Sequence, residues 1–362
     1  MESSGVASAA EGVVSRARLL LPPALGGAGN PAGAEPLTST EMSLIVRQRM
    51  RAESGELHRA ATADIAPNVC DTALIIEGGG MRDSYSAGAV VALLEQNINF
   101  ADVYGISAGS SHAVDYLSRD PLRVKQSFVD VAMMPGFRST ASLLLRRGYF
   151  NAEYLYEGIA QEMAGSNSEF SFDWDTFVAN RANVHIDAFD ATDGTTVTWS
   201  KSDMPTLRDL MLRVRASSTM PLFMPRIEID GHRFADGGLG RDWGLQLHSA
   251  QRDGYERFFI VRSRPRGFRM KQPTSTARRA VTRALHSDPL VAQRTLDRWE
   301  PYNALCDEVD ELERCGRACV FYADDVSASS LTTNLARLQA NYQRGYLQAQ
   351  RELPQWRKFL GI

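Results

Sequence analysis

No apolar run in this 362-residue chain reaches the roughly 18 residues that a bilayer-crossing helix requires, so no membrane-spanning helix is expected. Cysteine is scarce, four residues in all, which is the usage of a reduced compartment rather than of a disulfide framework. An excess of one charge is missing too. The 40 basic and 43 acidic side chains leave a net of −3, with no global reason to expect nucleic acid as a partner. A signal-peptide pattern is also absent: residues 1–10 carry no Lys or Arg, and Leu19-Leu20-Leu21 is too short for an apolar core of about 7–15 residues. The expected location is therefore cytoplasmic. What is present, 44% hydrophobic and 23% charged residues, is an ordinary globular mix.

Composition divides the chain. Of the first 40 residues, 23 are Ala, Gly, Pro or Ser, too little apolar material to offset the entropy of ordering. Residues 1–68 read as a flexible N-terminal arm with one short helix around Ser43 to Glu53. Beyond it, Ala73-Leu74-Ile75-Ile76 reads as a strand buried on both faces, and Ala87, Val91 and Leu94 follow with helical spacing. Val103-Tyr104 ends a second strand, and Ala108 to Leu117 reads as a helix. Further strands are expected at Val184 to Phe189, Thr195 to Trp199, Arg226 to Ile229 and Phe258 to Val261. Strands alternating with helices predict an α/β sheet covered on both faces. Leu331, Leu335, Leu338, Tyr342, Tyr346, Ala349 and Leu353 predict a long terminal helix. From Arg262 to Arg298, ten Lys/Arg stand against two Asp, a basic stretch that reads as a solvated face or as a contact with anionic lipid.

Three short motifs carry chemistry. Gly105-Ile106-Ser107-Ala108-Gly109 is a G-x-S-x-G elbow, in which glycines relieve a sharp strand-to-helix turn and Ser107 meets the positive end of the helix. Ala108 supplies a backbone N–H beside it. Gly78, Gly79 and Gly80, then Met81 and Arg82, leave N–H groups uncovered between strand and helix, suited to a phosphate or an oxyanion. The P-loop Lys-Ser/Thr pair is missing, and Asp83 stands where a dinucleotide fingerprint needs its last glycine. Phe234-Ala235-Asp236-Gly237-Gly238 sets an Asp at a strand end, although Asp-Gly alone also reads as a hairpin turn.

In this order the three motifs resemble those of the patatin-like phospholipases and acyl hydrolases, over roughly Ala73 to Arg269. Arg215 to Pro221 and Asp190-Ala191-Thr192-Asp193 also look like family segments, the latter near the site. The resemblance implies a three-layer α/β/α sandwich with a mainly parallel central sheet, plus a C-terminal helical extension. It implies a catalytic domain over 69–269, followed by a basic segment and mainly helical extension over 270–362. It also implies a Ser107-Asp236 dyad, an oxyanion hole from Gly78, Gly79, Gly80, Met81 and Ala108, and supporting roles for Arg82, Gly105, Gly109, Gly237 and Gly238. The expected substrate is a lipid ester or phospholipid, with no metal and no organic cofactor required. Peripheral contact with an anionic membrane would run through 262–298. Met133, Met134, Leu222, Phe223 and Met224 read either as an acyl channel or as core.

One position departs from the family. Asp83 replaces a glycine, and a carboxylate about 6 Å from an oxyanion costs about 3 kcal/mol at an effective dielectric near 20. The expectation is that Asp83 points away, paired with Arg82 or another Arg. Two other readings stay open: a weakened or inactive lipid-binding relative, and an α/β-hydrolase triad of Ser107, Asp236 and His248. His112 reads as a packed residue. Cys306, Cys315 and Cys319 lack paired zinc-ligand spacing, and Cys319 reads as part of a buried strand.

Overall fold

Four consecutive apolar residues, Ala73–Ile76, form β1, and each is at most 1% exposed. The computed structural model describes residues 65–133 and 172–362; the expected helix around Ser43 to Glu53 and Met134 lie outside them. After β1 come α1 (Ser84–Glu95), β2 (Asp102–Ile106), α2 (Ala108–Leu117), α3 (Pro121–Phe128) and α4 (Trp174–Ala179). Then follow β3 (Asn183–Asp190), β4 (Thr196–Ser200), α5 (Leu207–Ser217), β5 (Ile227–Ile229), β6 (His232–Ala235), α6 (Leu247–Arg252) and β7 (Phe258–Val261). The chain ends with α7 (Ser275–Ala284), α8 (Pro289–Asp297), α9 (Trp299–Arg314), β8 (Ala318–Phe321) and α10 (Leu335–Leu360).

The sheet runs β5-β6-β3-β2-β1-β7-β8, with β4 also on β3. The five strands from β3 to β8 are parallel, whereas β4, β5 and β6 join antiparallel. Side chains of the parallel strands alternate between two cores, as a period of two requires. Leu74, Ile76, Val103, Phe259 and Phe321 pack with α1, α2 and α10. Ala73, Ile75, Tyr104, Ile260 and Val320 pack with α6 and α9. Helices on both faces of a mainly parallel sheet make the expected three layers.

Helix α1 is buried along nearly its whole length because α10 and α3 pack against it and its apolar residues share a core with Leu74 and Ile76 of β1. The crossing is close: a Cβ on Gly345 would lie 2.1 Å from Tyr85 O. Trp356 of α10, fully buried, meets Phe259 and Phe321 edge-on at centroid distances of 5.1 and 5.7 Å. Leu331 falls outside this helix. Asn334 caps the helix start by accepting from Arg337 N at 2.9 Å, which sets the first turn beyond that leucine. Asp230-Gly231, both at positive φ, make the two-residue turn between β5 and β6. That leaves the second Asp-Gly pair, Asp236-Gly237, free of hairpin duty.

Candidate active site

Ser107 joins β2 to α2 at φ 57°, ψ −126°, a conformation costing a non-glycine residue about 1–3 kcal/mol. Its surroundings hold it there. Its N–H donates to Ser217 Oγ at 2.9 Å, which donates to Asp187 O at 2.7 Å, while Ser110 Oγ donates to Ser107 O at 2.6 Å. The glycines of the elbow are close-approach residues: a Cβ on Gly105 would lie 2.3 Å from Gly109 O, and one on Gly109 would lie 2.1 Å from Ile76 O.

Asp236 follows β6, whose Ala235 pairs with Phe189 of β3, and its N–H donates to Thr219 O at 2.8 Å. Its carboxylate accepts from Gly238 N at 2.8 Å on Oδ1 and from Ser107 Oγ at 2.7 Å on Oδ2. Both residues are buried, 7% and 8% exposed. Burial raises the Asp236 pKa above its ordinary value, against the opposing pull of Ser107, Arg298 and the Gly238 N–H. A more basic carboxylate hydrogen-bonded to a hydroxyl can accept that proton.

The glycine loop packs on the elbow. A Cβ on Gly78 would lie 3.0 Å from Ser107 Cβ and 2.6 Å from Ile106 O. Two of its N–H groups are already engaged: Gly78 N donates to Gly244 O at 3.3 Å and Met81 N to Ser330 O at 3.1 Å. Among the described residues, Gly79, Gly80 and Ala108 have no such acceptor. The Met81 side chain belongs to the core and does not line the cavity.

Asp83 does not point away from the loop, and it forms no ion pair among the described residues. A Cβ on Gly79 would lie 2.1 Å from Asp83 Oδ1 and 2.4 Å from Ser263 Oγ, so the carboxyl sits beneath the glycine. It is fully buried, its oxygens close no regular hydrogen bond, and burial holds its pKa well above the ordinary value in spite of Arg82. Burial thus disfavours the charge on Asp83 and works against the charge penalty anticipated from the sequence. Helix α10 fixes this stretch from behind: Asn341 Nδ2 donates to Arg82 O at 3.1 Å and to Ser84 Oγ at 2.8 Å.

Ser107 and Asp236 open on a cavity of about 220 Å³. One wall comes from beyond the three motifs: Arg264, Met270, Arg298, Tyr302 and Ser330. Sequence reasoning missed these residues. Below them Glu77 is paired with the fully buried Arg262 (Nε–Oε2 3.2 Å) and accepts from Tyr302 OH at 2.5 Å and Ser263 N at 3.1 Å. Burial alone would raise the Glu77 pKa, but Arg262 and Tyr302 outweigh it and hold it below its ordinary value.

The basic stretch divides. Arg262, Arg266, Arg269 and Arg278 form ion pairs, and Arg264 and Arg298 line the cavity. Arg294 lies over the Phe189 and Trp243 rings, which leaves Lys271, Arg279 and Arg283 as exposed cations. Among the described residues no histidine lines the cavity. His248 binds Asp242 and Glu308 rather than Asp236, and these partners raise its pKa to about 9. His112 is fully buried, with Nε2 2.9 Å from Asp83 O. Asp190 and Asp193, expected near the site, do not line the cavity; of the suggested channel residues that are described, Phe223 does and Met133, Leu222 and Met224 do not. Cys306 and Cys319 are buried, the latter in β8, and Cys315 is exposed. Among the described residues no helix is long and apolar enough to cross a membrane.

Residues 74–243 match the family model described as patatin-like phospholipase, and residues 288–361 match a domain of unknown function, DUF6363. No curated protein sequence matches the chain. Among solved structures, VipD from Legionella pneumophila is similar at 13% identity, covering 79% of this chain and 67% of its own, with a TM-score of 0.44.

Proposed function

We propose, from the patatin-like phospholipase domain that this chain carries over residues 74–243, that it is a serine acyl hydrolase cleaving carboxylic esters of lipids, in the manner of a phospholipase A. The observation that carries the reading is the 2.7 Å hydrogen bond from Ser107 Oγ to the buried Asp236 carboxylate. In the first step Ser107 Oγ attacks the ester carbonyl carbon while its proton passes to Asp236 Oδ2. The oxyanion so formed is held by the unengaged N–H groups of Gly79, Gly80 and Ala108, each such donor typically contributing about 2.7–4 kcal/mol. The C–O bond to the alcohol then breaks, and the alcohol leaves with the proton from Asp236. Water attacks the carbonyl carbon of acyl-Ser107, giving a proton to Asp236; the bond from that carbon to Ser107 Oγ then breaks, Oγ takes the proton back from Asp236, and the fatty acid is released.

No step needs an imidazole or a metal. Peripheral contact with an anionic membrane would fall to Lys271, Arg279 and Arg283, a smaller charge than the 262–298 run suggests. Ester hydrolysis across a short-to-long acyl series tests the reading, with Ser107→Ala and Asp236→Asn as controls. A fluorophosphonate should label Ser107 in the purified protein; an unlabelled serine with no turnover would make the chain a lipid-binding module instead.

A further inference from the structure

The cavity beside Ser107 has more positive charge than its own carboxylates balance. Glu77 and Asp236 are its acidic lining residues, against Arg82, Arg264 and Arg298. Glu77 is already neutralised by Arg262. Burial raises the pKa of Asp83 beneath the loop, which disfavours its charge. Arg82 is buried and donates through Nε to Ser263 Oγ at 3.4 Å. The other two guanidiniums are less committed. Arg264 stacks on Phe268 at 4.1 Å and forms neither an ion pair nor a side-chain hydrogen bond among the described residues. Arg298 donates to Trp243 O at 2.8 Å from Nη2 and has no carboxylate partner there. Its Nη2 would lie 3.0 Å from a Cβ on Gly238, the residue whose N–H holds Asp236. Arg264 is close enough to Arg82 to lower the latter's pKa, second only to burial. Two half-buried forks facing one cavity, neither within ion-pair distance of a carboxylate among the described residues, are the arrangement that recognises a compact oxyanion.

Resting on the hydrolase reading, we infer that Arg264 and Arg298 form an anion subsite, and that preferred substrates carry a phosphate on the alcohol side, close to the scissile ester. At about 220 Å³ the cavity is smaller than the roughly 300–1,000 Å³ that encloses a drug-sized ligand, so it suits an ester and a headgroup rather than a whole lipid.

The test compares dihexanoyl phosphatidic acid with dihexanoylglycerol, both below their aggregation limits. The phosphate ester should have at least tenfold higher kcat/KM, and Arg264→Gln or Arg298→Gln should cut that preference at least tenfold. Any effect of Arg298 on Asp236 is common to both substrates and cancels in the ratio. Inorganic phosphate should inhibit dihexanoylglycerol hydrolysis competitively, which shows whether the phosphate alone is recognised or only the phosphate ester. Calorimetric binding of the phosphatidic acid to Ser107→Ala, weakened at least tenfold by adding Arg264→Gln, reads the subsite without turnover. Equal rates on the two esters, together with binding to Ser107→Ala indifferent to Arg264→Gln, would overturn the subsite. Turnover that survives Ser107→Ala would instead overturn the hydrolase reading on which it rests.

Discussion

Gly79 lies directly over the Asp83 carboxyl, so closely that a methyl group on the glycine would overlap Oδ1 at 2.1 Å. Loop and acid fit together because the glycine has no side chain. Burial puts the Asp83 pKa well above that of an unfolded carboxyl. A group raised in the folded state favours folding at low pH. That advantage is lost as pH climbs from about 4 to the folded value, at about 1.4 kcal/mol per pH interval of one. Asp83→Asn, which cannot ionise, should match the natural protein in melting temperature near pH 4 and exceed it as pH rises above that. Parallel melting curves would show that Asp83 ionises freely.

Removing either member of the dyad should abolish ester turnover while leaving the fold intact. Ser107→Ala and Asp236→Asn are each expected to lower kcat by at least about 10³-fold, with circular dichroism unchanged.

The acid limb of kcat/KM should report Asp236, which must be ionised to accept the serine proton. Because burial raises its pKa, half-maximal rate should fall above the ordinary aspartate value of 3.8. Arg298 pulls that value down, so Arg298→Gln should move the limb to higher pH. A limb unmoved by this substitution would detach Arg298 from the dyad.

Breaking the buried Glu77–Arg262 pair on one side should be costly, about 3–5 kcal/mol, because the other charge is left without a partner. Glu77→Gln measured by urea unfolding near neutral pH checks this. Since the Glu77 pKa is lowered by folding, the pair stabilises above the unfolded value near 4.5 and the difference from Glu77→Gln should shrink as pH falls below it.

Gly345→Ala should destabilise by about 1–3 kcal/mol or more, since its methyl would press on Tyr85 O and force α10 off α1. Thermal melts read this directly.

Much of this molecule is legible from short-range pattern. β1, β7 and α2 begin and end where the apolar runs and the elbow glycines place them, because continuous burial and a sharp turn both leave strong local marks. The Ser107–Asp236 pairing is legible through its motifs, with Asp236 distinguished from a turn residue only once Asp230-Gly231 takes the hairpin. The far wall is not legible. Arg264 and Arg298 look like members of a charge run, and only the β1-β7-β8 order and the packing of α9 bring them to Ser107. The place of Asp83 under Gly79, beside Ser263 from far along the chain on the other side of the motifs, is likewise one that no local rule anticipates.

Asn341 grips the carbonyl of Arg82 from 259 positions downstream. The final helix thus acts as a clasp on the turn that would cradle a nascent negative oxygen. A proteolytic nick just ahead of residue 334 would loosen that clasp and silence a distant hydroxyl without touching it.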